Sequence, residues 1–120
     1  MEIRKPAKSF RELVVWQKAH QLVLSIYKIT RNFPKEELYC LTPQIRRSAT
    51  SIAANIAEAF KKKSAADKVR MLNIAQGSLS ETEYYLILIQ DLEYADVQKL
   101  MKDADEVGRI LDAYMKSIKK

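Results

Sequence analysis

Apolar residues recur at three- and four-residue spacing in four stretches of this chain, and each stretch reads as one face of an α-helix. The first stripe includes Leu13, Trp16, His20, Val23, Leu24 and Tyr27, with Ser9 before it as a cap. Asn32-Phe33-Pro34 ends it, because a residue preceding proline is pushed out of the α region. Helix 1 is therefore expected over 10–31, followed by a connector at 35–41 with room for one helical turn. Thr42-Pro43 reads as the cap and first residue of helix 2, since proline loses nothing at a position whose N–H has no partner. That helix, over 43–62, places Ile45, Ala49, Ile52, Ala53, Ile56 and Phe60 on one side and Arg47, Ser51, Asn55 and Glu58 on the other. Its alanines let a partner helix come close, and Lys61-Lys62-Lys63 favours the negative end of its dipole.

Ser64, with Asp67 three residues on, opens helix 3 over 65–91, whose core positions run Val69, Leu72, Ala75, Leu79, Leu86 and Ile89. Gly77-Ser78 interrupts it with weak helix formers and is read as a point of close helix contact, with a local bend as the alternative. After a turn at Glu93-Tyr94-Ala95, Asp96 caps helix 4 over 97–118, where Val97, Leu100, Met101, Ala104, Val107, Leu111, Tyr114 and Ile118 form the most regular stripe. Four helices on short connectors imply an all-α, antiparallel up-and-down four-helix bundle occupying 1–120 as one domain. A length of 120 residues suits one hydrophobic core, and 2 Gly and 3 Pro leave little turn chemistry for a sheet.

The formal net charge is +6, distributed unevenly: residues 1–40 carry +4, residues 41–80 carry +5 and residues 81–120 carry −3. A basic first two-thirds suits phosphates, or equally the acidic last third of the same chain or of a neighbour. Lys and Arg gather at Arg46, Arg47, Lys61, Lys62, Lys63, Lys68 and Arg70, and the group from Lys61 onward can follow a phosphate backbone. No aromatic cluster is interleaved with these cations, which speaks against base stacking on a single strand. The run Glu83-Tyr84-Tyr85-Leu86-Ile87-Leu88-Ile89 is apolar around more of the helix than one core face needs, so self-association is expected.

Chemistry is sparse. One His and one Cys give no material for a nucleophilic triad or metal site, and His20, on the apolar stripe, is read as a core or interface side chain. It is also the sole candidate base if the bundle cleaved RNA. No phosphate-cradling glycine loop or Glu-x-x-His pair is present, so no cofactor or metal is expected. The charged first residues and the lack of a long apolar run point to a cytoplasmic protein with no membrane partner.

Five segments together carry a family resemblance: Phe10 to Leu13 with Val15 to His20; Phe33-Pro34-Lys35-Glu36-Glu37; Leu41 to Ala49; Ser51 to Glu58; and Gly77 to Glu81. On them the chain resembles the small bacterial four helix bundle proteins encoded in 23S ribosomal RNA intervening sequences, relatives of the accessory variability determinant of diversity-generating retroelements. The resemblance implies a homo-oligomer, a pentamer in the structurally known relatives, and no enzyme. It implies RNA or DNA and a reverse transcriptase as partners for the retroelement members. Gln44, Arg46, Arg47, Asn55 and Glu58 carry over as structural or interaction positions, with Arg46 or Arg47 expected to pair with Glu58 or a neighbouring subunit's acid. Trp16, His20, Tyr84 and Tyr85 join them as expected structural or interface residues. Cys40 and Ala59 stand where the family usually has glycine, so Cys40 is strained if that position demands a positive φ, while Ala59 extends helix 2. The expectation that follows is a non-enzymatic basic bundle that binds nucleic acid or a nucleic-acid-processing protein, with a purely structural or protein-interaction oligomer as the alternative.

Overall fold

The computed structural model describes residues 6–119. Four helices account for most of them: α1 (Val14–Thr30), α2 (Leu41–Lys61), α3 (Ala65–Asp91) and α4 (Gln98–Lys119). Among the described residues there is no strand. Each helix packs against two others, α1 on α2 and α4, and α3 on α2 and α4, so the bundle closes as a square with no diagonal packing of note. The pairs are antiparallel. Arg47 meets Glu81, Ser51 meets Ser78 and Lys68 reaches the Phe60 carbonyl, so positions rise along α2 as they fall along α3.

The stripes read from the sequence for helices 2, 3 and 4 line the core, but the one for helix 1 is out of phase. Of its residues only Val23 is buried, and Leu24 and Tyr27 are exposed. The inward face of α1 is Val15, Ala19, Leu22, Val23 and Ile26, because Trp16 and His20 stack on each other at its flank. Leu22, Ile26, Ile45, Ile52, Ile56, Leu72, Leu86, Ile89 and Leu111 are among the fully buried side chains of the core. The ends of α3 and α4 fall where the caps place them. Ser64 Oγ accepts the Asp67 N–H at 3.1 Å, and Asp96 Oδ1 accepts the Gln98 N–H at 3.1 Å, one residue later than the expected start of the last helix. Ala59 is buried inside α2, as expected of a residue that extends the helix.

Four further expectations need correction. The first helix does not run unbroken over 10–31: Phe10–Glu12 form a 3-10 turn capped by Ser9, and Leu13 is extended before α1 begins at Val14. The break lets Phe10 fold edge-on against Trp16, with ring centroids 5.1 Å apart, while the Gln17 side chain donates to the freed Arg11 carbonyl at 2.8 Å. The second helix starts at Leu41 instead of at Pro43 after a Thr42 cap. Glu37, in a 3-10 turn over Lys35–Glu37, accepts the Leu41 N–H with Oε1 at 3.3 Å, and Thr42 is buried within the first turn.

Cys40 has φ of −120° and no left-handed strain. The residue that does adopt positive φ is Glu93, at 61°. There the chain reverses after α3 by a Schellman motif: the Tyr94 N–H donates to the Ile89 carbonyl at 3.1 Å and the Glu93 N–H to the Gln90 carbonyl at 3.0 Å. Finally, the close helix contact expected at Gly77-Ser78 is made by Ser78, whose Oγ lies 2.8 Å from Ser51 Oγ of α2, and not by Gly77. Gly77 is exposed in an unbroken α3, with nothing within 4 Å of where a Cβ would lie. The glycine that does meet a neighbouring helix closely is Gly108 of α4, whose added Cβ would sit 3.3 Å from Leu79 Cδ2.

Candidate nucleic-acid interface

The seven cations singled out from the sequence do not form one group. Arg46 and Arg47 sit in the first part of α2, roughly 21 Å along the helix from Lys61 at 1.5 Å per residue, and both are engaged. Arg46 lies over the Tyr27 ring at 4.5 Å and donates from Nε to Thr30 Oγ1 at 2.8 Å, which in turn donates to the Ile26 carbonyl at 2.8 Å. This ties the start of α2 to the end of α1 and satisfies a buried hydroxyl. Arg47 is held between Gln44 Oε1, at 3.2 Å from its Nε, and the Glu81 carboxylate. Glu81 also accepts from the Tyr85 hydroxyl at 2.8 Å, and this bond, helped by burial and by the carboxylate's charge, raises the Tyr85 pKa.

Arg47 therefore pairs with Glu81 and not with Glu58, which is exposed. The remaining polar motif residues line the same α2–α3 seam. Asn55 donates to Ser51 Oγ at 3.0 Å, and Ser51 Oγ lies 2.8 Å from Ser78 Oγ. Deeper, Ser48 and Thr82 meet at 2.8 Å with no exposure of either. Small hydroxyls let the two helices approach while satisfying each other. Ser48 and Thr82 were not picked out by sequence, although both occupy inward positions of otherwise apolar stripes, Ser48 between Ile45 and Ile52 and Thr82 between Leu79 and Leu86. A polar residue at an inward phase was the available signal.

The other cations cluster where α2 turns into α3. Lys68 is spent internally: its Nζ donates to the Phe60 carbonyl at 2.9 Å and the Ala59 carbonyl at 3.3 Å, capping α2. Arg70 makes a long contact of 3.8 Å with Asp67, both well exposed, which solvent screens heavily. Lys61 and Lys63 are exposed and Lys62 half-buried, and none of the three is in an ion pair among the described residues. Because α1 is antiparallel to α2, the 3-10 turn with Arg11 packs beside the end of α2 and adds a cation to this end. The N-terminus of α3 opens here too and brings the positive end of its dipole, set against the Asp67 carboxylate in its first turn.

His20 is half-buried and stacks flat on Trp16, with ring centroids 4.9 Å apart and planes 9° apart. Tyr84 projects outward from α3, 57% exposed, and Ile74 and Ile87 are exposed on the same helix. Among the described residues no group of three or more His, Cys, Asp or Glu is placed to hold a metal, and no helix is long and apolar enough to cross a membrane.

Fold and seam together define a class: a small up-and-down four-helix bundle whose α2–α3 contact is sewn by hydroxyls and one Arg-Glu-Tyr chain, with free lysines at one end. The model of the family described as 23S rRNA-intervening sequence protein matches residues 11–113, and the chain belongs to that family. Among solved structures, it resembles a protein of unknown function from the S23 ribosomal protein family of Bacteroides thetaiotaomicron, with 35% identity and a TM-score of 0.77 over 86% of this chain and 99% of the other. No curated protein matches it.

Proposed function

We propose that this chain is a non-enzymatic, basic, homo-oligomeric helical bundle that binds nucleic acid, with the lysine turn between α2 and α3 as its contact surface. The observation that carries this reading is that Lys61, Lys62 and Lys63 stand together at one end with no ion pair among the described residues, whereas Arg46, Arg47 and Lys68 are consumed by structural contacts. Cations held at one end of a rigid scaffold suit a phosphate backbone, where each neutralised phosphate adds salt-sensitive affinity without sequence preference. The exposed Ile74, Tyr84 and Ile87 of α3 support self-association, and the family resemblance makes a pentamer the expected assembly. A nucleic-acid-processing enzyme such as a reverse transcriptase would share the bound strand.

The test is a titration against single- and double-stranded RNA and DNA at low and physiological salt, with light scattering for the assembly mass. Binding should weaken with salt, and replacing Lys61, Lys62 and Lys63 by Ala should lower the log-log salt slope by about three. A stable oligomer that binds no nucleic acid even at low salt sinks the reading. One observation favours the alternative, a protein-interaction oligomer. At the opposite end, the exposed Leu92 borders an apolar groove of about 340 Å³ that reaches Leu88, and the connector before α2 exposes Leu38 and, at 88%, Tyr39.

A further inference from the structure

Beside the lysine turn, α3 and α4 part to leave an open groove of about 500 Å³, a size that admits a nucleotide but no duplex. It begins at Ala66, three residues beyond Lys63, and follows α3 as far as Gln76, about 15 Å at 1.5 Å per residue. Its two walls differ in chemistry along their length. Arg70 on α3 and Lys116 on α4 bring cations from opposite sides at the end nearest the lysine turn. Further along, Asn73 presents an exposed amide, and Gln76 donates from Nε2 to Asp112 Oδ1 at 2.7 Å, closing the groove with a carboxylate. Val69 and the buried Met115 provide apolar contact between.

We infer that this groove seats an unpaired stretch of the bound nucleic acid, its phosphates gripped by Arg70 and Lys116 and one base turned toward Asn73. The inference rests on the nucleic-acid reading above and adds the form of strand that the site takes. Charge orients the ligand. The Asp112 carboxylate repels phosphate from the closed end, while the paired cations attract it at the open end, so the base and not the backbone points inward. An Asn amide has a donor and an acceptor side by side, matching the edge of adenine, and the Gln76 carbonyl is left to accept from a base amino group. Without an aromatic platform in the groove, recognition falls to these hydrogen bonds and to the apolar floor. The Lys61 to Lys63 turn then holds the next phosphates of the same strand.

The experiment compares an adenine-only RNA strand, a uridine-only strand, the corresponding DNA strands and an RNA duplex of equal length. Each is titrated with the full chain and with three variants: R70A/K116A, Asn73→Ala and K61A/K62A/K63A. All the changed side chains but Lys62 are exposed. The expected result is preference for the adenine strand over the duplex, with R70A/K116A weakening strand binding about tenfold or more and lowering its salt slope by about 1.4, and leaving duplex binding unchanged. Asn73→Ala should narrow the adenine-to-uridine ratio at constant salt slope, and the DNA arm shows whether the 2′-hydroxyl contributes. Duplex bound as well as strand, or R70A/K116A binding the strand like the wild type, overturns the groove. If binding is lost in K61A/K62A/K63A while the groove variants keep it, the groove alone fails. Absence of binding by the wild type at low salt removes both readings.

Discussion

Ser48 Oγ lies 2.8 Å from Thr82 Oγ1 at the centre of the α2–α3 seam, and neither side chain has any exposed surface. Thr82 donates onward to the Ser78 carbonyl at 2.8 Å, which leaves the Ser48 proton for Thr82 or for the Ile45 carbonyl at 3.1 Å. The pair is self-satisfied, and its compactness sets how near the helices lie. Ser48→Leu must force them apart and strand the Thr82 hydroxyl without its cross-helix partner. The expected cost is about 2–3 kcal/mol in urea unfolding. Ser48→Ala, which keeps the spacing and the Thr82–Ser78 bond, should cost no more than about 1 kcal/mol. Equal losses from the two would show that spacing is not the constraint.

Glu93 occupies the left-handed position of the turn after α3, with φ of 61°. A side chain there is strained by roughly 1 kcal/mol, partly offset in a glycine variant by the greater freedom of the unfolded chain. Glu93→Gly is expected to raise the melting temperature, and Glu93→Val to lower it. A lower Tm for the glycine variant would contradict the strain argument.

Gly77 makes the opposite case. It is exposed in the middle of α3, and a methyl group added there meets no atom within 4 Å. Gly77→Ala should stabilise the fold by about 1 kcal/mol through helix propensity alone. Light scattering on the same variant gives a second readout: a drop in assembly mass would place Gly77 in a contact between subunits.

Two groups tie stability to pH in identifiable windows. Burial, reinforced by the negative charge of Asp105, raises the Glu83 carboxyl above its usual pKa of 4.5. The folded state therefore holds the proton more tightly than the unfolded state, so this group's contribution falls as pH rises past about 4.5. Glu83→Gln removes that loss and should stabilise the protein at pH 7 by a few tenths of a kcal/mol, a small figure because the residue is only half-buried. Thermal melts at pH 4 and pH 7 measure it, and an unchanged difference between them refutes the assignment.

Tyr94 donates to Glu37 Oε2 at 2.7 Å, and that bond is the first cause of a phenol pKa pushed up to about 12. The neutral phenol is the favoured form, so its contribution is complete below the usual value of 10.0 and is lost as pH climbs toward 12. An ultraviolet titration should show Tyr94 among the late-ionising tyrosines, with Tyr85 and Tyr114 also raised, and Glu37→Gln should return Tyr94 alone toward the ordinary range. The same substitution tests the α2 start, because Glu37 caps Leu41 with its other oxygen.

By itself the sequence determined the number of helices, the core faces of α2, α3 and α4 and, to within a residue, the ends of α3 and α4. Those features arise within a few residues: a 3.6-residue apolar period, the Ser64 and Asp96 caps, and the scarcity of glycine and proline. The start of α2 escaped it because the capping group belongs to Glu37, whose position depends on how the connector folds back. The break at Leu13 escaped it because Phe10 must find Trp16 after the chain has turned.

At the candidate interface the limit is sharper. Composition revealed which residues are basic, but only the packed bundle decided which cations remain free. Arg47 finds its acid 34 positions away, and Lys68 turns back to carbonyls of α2. Likewise the groove between Arg70 and Lys116 joins two helices far apart in the chain. Free charge and concave surface are properties of contacts between distant segments, and a local pattern carries no record of those contacts until the helices are set side by side.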